Sequence, residues 1–152
     1  MGTTITLGTF QPASRVRSAK SVTRYLPAVA RVAMGLPFFI IGLNGLLNFL
    51  PQPTAPMPEG AAAFLGALVK TSYMLPLIST TQLIVGALLL SNRFVPLALA
   101  LIAPFFVNSI LFHMFLEHSG LPFATIFVGL EIYLVHANWN AFRPMLVARA
   151  TR

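Results

Sequence analysis

The 152-residue sequence contains no cysteine and only three acidic residues, Glu59, Glu117 and Glu131. Without cysteine the chain can form no disulfide, no thiolate nucleophile, no iron–sulfur cluster and no cysteine-ligated zinc site. Charged residues make up 9% of the chain and hydrophobic residues 57%, with a mean hydropathy of +0.81. Because so few polar residues cannot cover the surface of a soluble domain of this length, the composition indicates a membrane protein.

Four long apolar runs occupy most of the chain: 25–50, 71–90, 94–116 and 121–140. Each approaches or exceeds the roughly 20 residues that a helix needs to cross about 30 Å of hydrocarbon. The segment 59–70 is too short to cross and predicts a surface or re-entrant helix. The sequence therefore predicts an all-α membrane protein, a four-transmembrane-helix bundle with a short outer-face helix between the first two crossings.

The basic residues predict how these helices are oriented. Nine of the ten Lys and Arg residues would lie on one side of the membrane: Arg15, Arg17, Lys20, Arg24, Arg31, Arg93, Arg143, Arg149 and Arg152. The opposite side keeps only Lys70, so the positive-inside rule places both termini in the cytoplasm. The net charge of +7 is thus interpreted as a topology signal beside anionic lipid, and nucleic acid is not an expected partner.

Two prolines interrupt the predicted crossings. Pro37 and Pro104 lie near the middle of the first and third runs, where a proline kinks its helix and frees a backbone carbonyl. Two kinks at a similar depth indicate either a cavity or bends that merely fit the bundle.

Polar side chains inside the apolar runs are the candidate functional residues. A rise of about 1.5 Å per residue places two of them near mid-membrane and five in the outer half: Gln82 and Glu131, then Asn44, Asn48, Asn108, Ser109 and His113. A charged group at mid-membrane costs roughly 2.5 to 3.5 kcal/mol on insertion scales, so Glu131 should face the bundle interior and approach Gln82. Two roles fit Glu131: an interhelical hydrogen bond that fixes packing, or ligand contact and proton handling.

A polar stripe on the third crossing reaches the outer surface. Ser109, His113 and Glu117 are spaced by four residues and share one helix face, which suits a proton pathway. A packing role is the alternative for His113, and although Glu117 and His118 give it the spacing of a metal set, no further ligand completes one, so no metal site is predicted. His136, in the inner half, is a candidate ligand for a haem or pigment shared with a partner, or a capping residue.

Five stretches of the sequence carry a family resemblance: 31–44 (RVAMGLPFFIIGLN), 82–93 (QLIVGALLLSNR), 108–113 (NSILFH), 130–134 (LEIYL) and 141–146 (AFRPML). Together with the short helix before the second crossing, they resemble the DoxX-like family of four-helix bacterial membrane proteins. The resemblance covers a predicted transmembrane domain at 25–146, between a basic cytoplasmic tail at 1–24 and a basic C-terminal tail at 147–152.

The resemblance implies a multi-pass protein of the bacterial cytoplasmic membrane that takes part in a redox system. Many members carry Lys and Glu where this chain has Asn44 and Gln82. We expect an integral membrane subunit of a quinone-linked or other membrane oxidoreductase complex, among lipids and other membrane subunits, with a quinone or similar lipid-soluble ligand between the kinked helices. The alternative is a non-catalytic accessory subunit that stabilises a larger respiratory or photosynthetic complex.

Overall fold

The computed structural model describes residues 16–51 and 56–146, with side chains from residue 24 onward. Within these ranges the chain forms helices and no strands. The α-helices are α1 (Val16–Leu47), α2 (Glu59–Lys70), α3 (Met74–Leu90), α4 (Val95–Phe115), α5 (Leu121–Ala137) and the single-turn α6 (Trp139–Phe142), with 3-10 turns at His118–Gly120 and Arg143–Leu146. Residues 1–15 of the predicted N-terminal tail and all of the C-terminal tail lie outside the described residues.

The first helix begins earlier than the hydrophobic pattern predicts. The apolar run begins at residue 25, whereas α1 begins at Val16, so the last part of the predicted basic tail is helical. Pro27, near the beginning of the apolar run, lies inside α1. No glycine or proline separates Val16 from Pro27, so no strong helix breaker ends the helix at the edge of the apolar run.

α1 and α3 make the closest helix pair of the bundle. A Cβ atom added at Gly42 would collide with the backbone nitrogen of Leu83, and one added at Gly86 would lie 2.6 Å from the Cα of Phe39. The two backbones therefore touch directly, which only glycine permits. Close approach through small residues is the usual way in which helices associate in lipid.

The contact between α1 and α3 is antiparallel and long. At one end Gly45 faces the side chain of Ser79, and at the other the Nη1 of Arg31 donates a hydrogen bond of 2.6 Å to the Oδ1 of Asn92. Residues 31–45 correspond to about 21 Å of helix axis. We call the end of the bundle with the α3–α4 turn (residues 91–94) the turn end, and the opposite end, with the α4–α5 connection (residues 116–120), the loop end.

The core is apolar and is drawn from α1, α3, α4 and α5. Its fully buried large side chains are Met34, Val85, Leu89, Leu99, Ile102 and Leu134. Towards the loop end, the ring of Phe38 packs edge-on against three other rings, those of Phe105, Phe106 and Phe127, at centroid distances of 5.8, 5.5 and 5.8 Å. Edge-to-face pairs of this kind are favoured by the quadrupole of the aromatic ring.

Three helices are long and apolar enough to cross a membrane: Arg24–Leu47, Val95–Phe115 and His118–Ala137. α2 and α3 pass the same test only together, as a pair bent by 90°. The outside of the bundle exposes large hydrophobic side chains, including Leu36, Leu97, Val107, Phe123 and Ile132. Such a surface suits lipid better than water. The chain is therefore an all-helical protein with three candidate membrane-spanning helices, or four if the bent pair is one span.

Candidate functional site

Gln82 lines two of the cavities that lie between the helices. The large cavity, of about 480 Å³, is formed by α2, α3 and α4. The small cavity, of about 210 Å³, is formed by α1, α3, α4 and α5. Each contains one of the two mid-helix prolines, Pro104 in the large cavity and Pro37 in the small one. The proline-containing segments of α1 and α4 therefore border cavities.

The large cavity is mainly apolar and reaches the surface of the bundle. Leu77 and Leu101 line it and are also half exposed, so its mouth lies on the lipid-facing side of α3 and α4. Its polar wall groups are Thr81, Gln82 and Asn108. The hydroxyl of Thr81 already donates to the backbone oxygen of Leu77 at 2.9 Å. The two side-chain amides are therefore the polar groups that remain for a ligand.

Gln82 is placed in this position by the buried face of α3, which also carries Ser79, Val85 and Leu89. Its side chain is only 6% exposed. Its amide can both donate and accept hydrogen bonds. The side-chain atoms that are buried without a partner in the described part of the chain are the Nε of Arg31 and the Oε2 of Glu131, and the amide atoms of Gln82 are not among them. Gln82 is thus a mostly buried residue whose polar amide lines the wall of both cavities.

The small cavity is dominated by aromatic rings. Its lining consists of five phenylalanines, three polar residues and three small or aliphatic residues: Phe38, Phe105, Phe106, Phe123 and Phe127, then Gln82, Ser109 and His113, then Pro37, Ile41 and Ala124. Flat apolar walls with polar groups from α3 and α4 suit a ligand that has a planar ring and polar substituents. The expected stripe of Ser109 and His113 therefore faces a cavity together with Gln82.

His113 is held at the loop end by the residues that follow α4. Its Nδ1 lies 3.0 Å from the Oε2 of Glu117 and 2.9 Å from the backbone oxygen of the same residue. The carboxylate of Glu117 also accepts hydrogen bonds from the hydroxyl of Ser119 and from the backbone N–H groups of Ser119 and Gly120, at 2.8 and 3.1 Å for the latter two. The hydrogen bonds from Ser119, chiefly that of its hydroxyl, lower the pKa of Glu117 to about 2. The carboxylate is therefore ionised beside the imidazole.

Glu131 lies in the core rather than at a cavity. Its side chain is 7% exposed, its Oε2 has no hydrogen-bond partner among the described residues, and it lines neither cavity. On α5, Glu131 follows Phe127 by one helical turn, in the direction of the turn end. Phe127 and Gln82 both line the small cavity. The structure therefore does not bring Glu131 and Gln82 into hydrogen-bond contact. The Nε of Arg31 is the other buried side-chain atom without a partner in this part of the chain, and no ion pair joins it to Glu131.

The remaining candidates divide between structural and exposed positions. The Oδ1 of Asn44 accepts a hydrogen bond of 2.7 Å from the N–H of Leu50, so this residue ties down the chain that leaves α1. Asn108 is exposed and lines the large cavity. His136 is exposed in the last turn of α5, at the turn end, and lines neither cavity. Within residues 16–51 and 56–146, no group of three or more His, Asp or Glu side chains could hold a metal ion.

Sequence reasoning missed the aromatic lining of the small cavity. Phe123 and Phe127 are spaced by four residues, which places them on one face of α5, and Phe105 and Phe106 directly follow the kink at Pro104. The sequence shows this spacing, but it does not show which helices these four rings would contact.

No family model, no curated protein and no solved structure matches the chain. The functional argument consequently rests on the two cavities and on the polar groups that line them.

Proposed function

We propose that this protein is an integral membrane subunit of a quinone-linked oxidoreductase complex and that its two cavities bind the quinone-class ligand. The observation that carries the proposal is the position of Gln82, a polar amide on a wall common to both cavities. The redox centres of such a complex belong to partner subunits in this proposal.

The two cavities differ in the way that the two parts of a quinone differ. The aromatic walls of the small cavity fit a substituted benzoquinone or naphthoquinone ring, and the larger apolar cavity, open beside Leu77 and Leu101, fits an isoprenoid tail that continues into lipid. At the junction, the amide of Gln82 can donate to a ring carbonyl. Ligand pockets commonly combine apolar walls with a few polar groups of this kind.

The proposal includes four crossings in the bacterial cytoplasmic membrane, as in the DoxX-like family, with both termini in the cytoplasm and α2 on the outer face. The long contact of α3 with α1 supports a fourth crossing, because α3 accompanies a membrane-spanning helix over about 21 Å. The 90° bend between α2 and α3 is compatible with α2 lying along the membrane surface. Arg31 and Arg93 near the turn end support a cytoplasmic position for that end.

Photoaffinity labelling tests the ligand. The full chain in lipid nanodiscs is incubated with an azido-benzoquinone that carries a decyl tail, irradiated, and analysed by peptide mass spectrometry. Saturable labelling of the cavity-lining parts of α3 and α4 is expected. The substitution Gln82→Leu removes one hydrogen bond to the probe, worth about 1 kcal/mol. It should therefore raise the probe concentration at half-saturation about fivefold.

Thr80→Val is the matched control, since it makes the same polar-to-apolar change on the exposed face of α3 and should leave half-saturation unchanged. Labelling that does not saturate, or that is equally strong in the Gln82 variant, would refute the ligand site. If in addition the chain co-purifies in fixed ratio with other membrane proteins that lose stability without it, the accessory-subunit function replaces this proposal.

A further inference from the structure

We propose that His113, oriented by Glu117, selects the redox state of the ligand: neutral His113 favours the hydroquinone, and protonated His113 favours the quinone. This inference rests on the proposed function, because it assigns a specificity-determining residue to the same site. Its basis is the hydrogen bonding of one imidazole ring at the wall of the small cavity.

The first step is the tautomer of His113. Both groups within hydrogen-bond distance of its Nδ1 are acceptors, the carboxylate oxygen of Glu117 at 3.0 Å and the backbone oxygen of the same residue at 2.9 Å. Two acceptors require that Nδ1 carries the hydrogen. In the neutral imidazole, the Nε2 atom therefore has a lone pair and no hydrogen.

The second step is the relation of His113 to the rest of the site. His113, Ser109 and Gln82 line the same cavity, and Ser109 lies one helical turn from His113 on α4. Because Gln82 and His113 come from different helices, they can contact different oxygens of one ring. Gly120 packs against the imidazole so closely that any Cβ there would overlap it. The ring is thus held from the loop end and borders the cavity.

The third step is the chemistry of the two redox forms. A hydroquinone presents O–H groups, and neutral His113 can accept one of them at Nε2. A quinone presents only carbonyl oxygens, which would face the Nε2 lone pair without a hydrogen bond. Once His113 is protonated, Nε2–H donates to the quinone carbonyl, and a hydrogen bond from a charged donor is stronger than a neutral one. A hydroquinone oxygen can also accept from Nε2–H, but it is a weaker acceptor than a carbonyl oxygen, so protonation shifts the preference towards the quinone.

Few other titratable groups are near enough to produce such a pH dependence. The parts of α1, α3 and α5 that line the small cavity carry no titratable side chain. On the connection after α4, Glu117 contacts His113, and its pKa of about 2 keeps its charge constant at higher pH. His118 is exposed on the following turn, and Glu59 is exposed at the start of α2, beside Gly60, which lies against Leu116. His113 is thus the ionisable side chain in the lining of the small cavity.

The test compares the binding of decylubiquinone and decylubiquinol by the full chain in lipid nanodiscs under argon. Affinities are measured at pH 5 and pH 8, the interval in which histidine side chains usually titrate. The ratio of hydroquinone affinity to quinone affinity should be about tenfold larger at pH 8 than at pH 5, as expected from one hydrogen bond to a charged group. His113→Phe keeps an aromatic ring in the wall and should abolish this pH dependence.

His118→Gln is the matched control, because it removes an exposed histidine five positions away and should keep the tenfold change. Glu117→Gln serves as a second variant if His113→Phe does not fold, and it should reduce the change because the tautomer is no longer fixed. If the wild-type chain binds both forms with a ratio independent of pH, or if His113→Phe keeps the change, this inference is wrong and the ligand site stands. If neither form binds, the proposed function fails with it.

Discussion

Replacing Gly86 by alanine tests the helix contact on which the small cavity depends. The added Cβ would lie 2.6 and 2.8 Å from the Cα and Cβ of Phe39, and closer still to its backbone nitrogen. Backbone atoms cannot rotate away as a flexible side chain can, so α1 and α3 must separate. Phe38 from α1 and Gln82 from α3 both line the small cavity, and the separation should therefore reach the ligand site as well.

The expected size of this effect follows from known costs of overpacking. Inserting a methyl group into a close-packed contact costs about 1 to 3 kcal/mol. For a chain of this length, that corresponds to a fall of about 2 to 12 °C in the midpoint of thermal unfolding. The measurement is thermal unfolding of the purified chain in mild detergent, monitored by circular dichroism. Quinone affinity in nanodiscs, measured on the same variant, should fall together with the midpoint.

Gly129→Ala is the matched control for this experiment. A Cβ at Gly129 meets nothing within 4 Å, and the residue lies in the interior of α5. Alanine there should leave the midpoint unchanged or raise it slightly, since it favours helix by about 0.5 to 1 kcal/mol. Equal midpoints for the parent and the Gly86 variant would refute direct contact between α1 and α3. Equal losses in both variants would show that the effect is not specific to this contact.

Three further predictions concern topology, the core and the loop end. A cysteine at Thr54 should react with an impermeant thiol reagent added to intact cells, whereas one at Ser14 should not; labelling at Ser14 would contradict the proposed orientation. Glu131→Leu should raise the unfolding midpoint by about 2 °C or more, because it removes an unpaired buried oxygen, and a fall would show that Glu131 has a partner. The pKa of Glu117 is lower in the folded protein than its ordinary value of 4.5. The contribution of Glu117 to stability is therefore present above about pH 4.5 and is lost as the pH falls towards 2. In unfolding midpoints measured over a series of pH values, Glu117→Gln should remove this part of the acid sensitivity.

Local sequence patterns were sufficient for the helices and for contacts within one helix. The length of an apolar run is a local property, which is why α1, α4 and α5 follow from hydropathy alone. The contact between His113 and Glu117 follows from a spacing of four residues, and it persists although α4 ends at Phe115 because the backbone oxygen of Glu117 and its side chain both turn back to the ring. Contacts of this kind need no knowledge of how helices pack.

Contacts between helices were predictable only in part. The glycine face of α1 indicates close packing, but it does not name the partner, which is α3 through Gly86. For Gln82 and Glu131, no hydrogen bond joins the two side chains, and Gln82 lines both cavities whereas Glu131 lines neither. Both residues are near the middle of their helices in sequence, but what each side chain meets depends on the rotation and vertical offset of α3 and α5, which the sequence does not give.

The two buried polar side chains therefore have different consequences for function. Gln82 borders empty space, so a ligand can satisfy its amide without any change in the bundle. Glu131 is buried and lines neither cavity, so a ligand in the cavities does not reach it and a group from another subunit would have to provide its missing hydrogen bond. A ligand-binding subunit should thus gain stability from quinone in a manner that depends on Gln82. A purely accessory subunit should instead gain stability from its partner in a manner that depends on Glu131. The two functions are separated by measuring, on variants of Gln82 and of Glu131, how much stability the chain gains from quinone and how much it gains from a partner. Each residue should affect only one of these two gains.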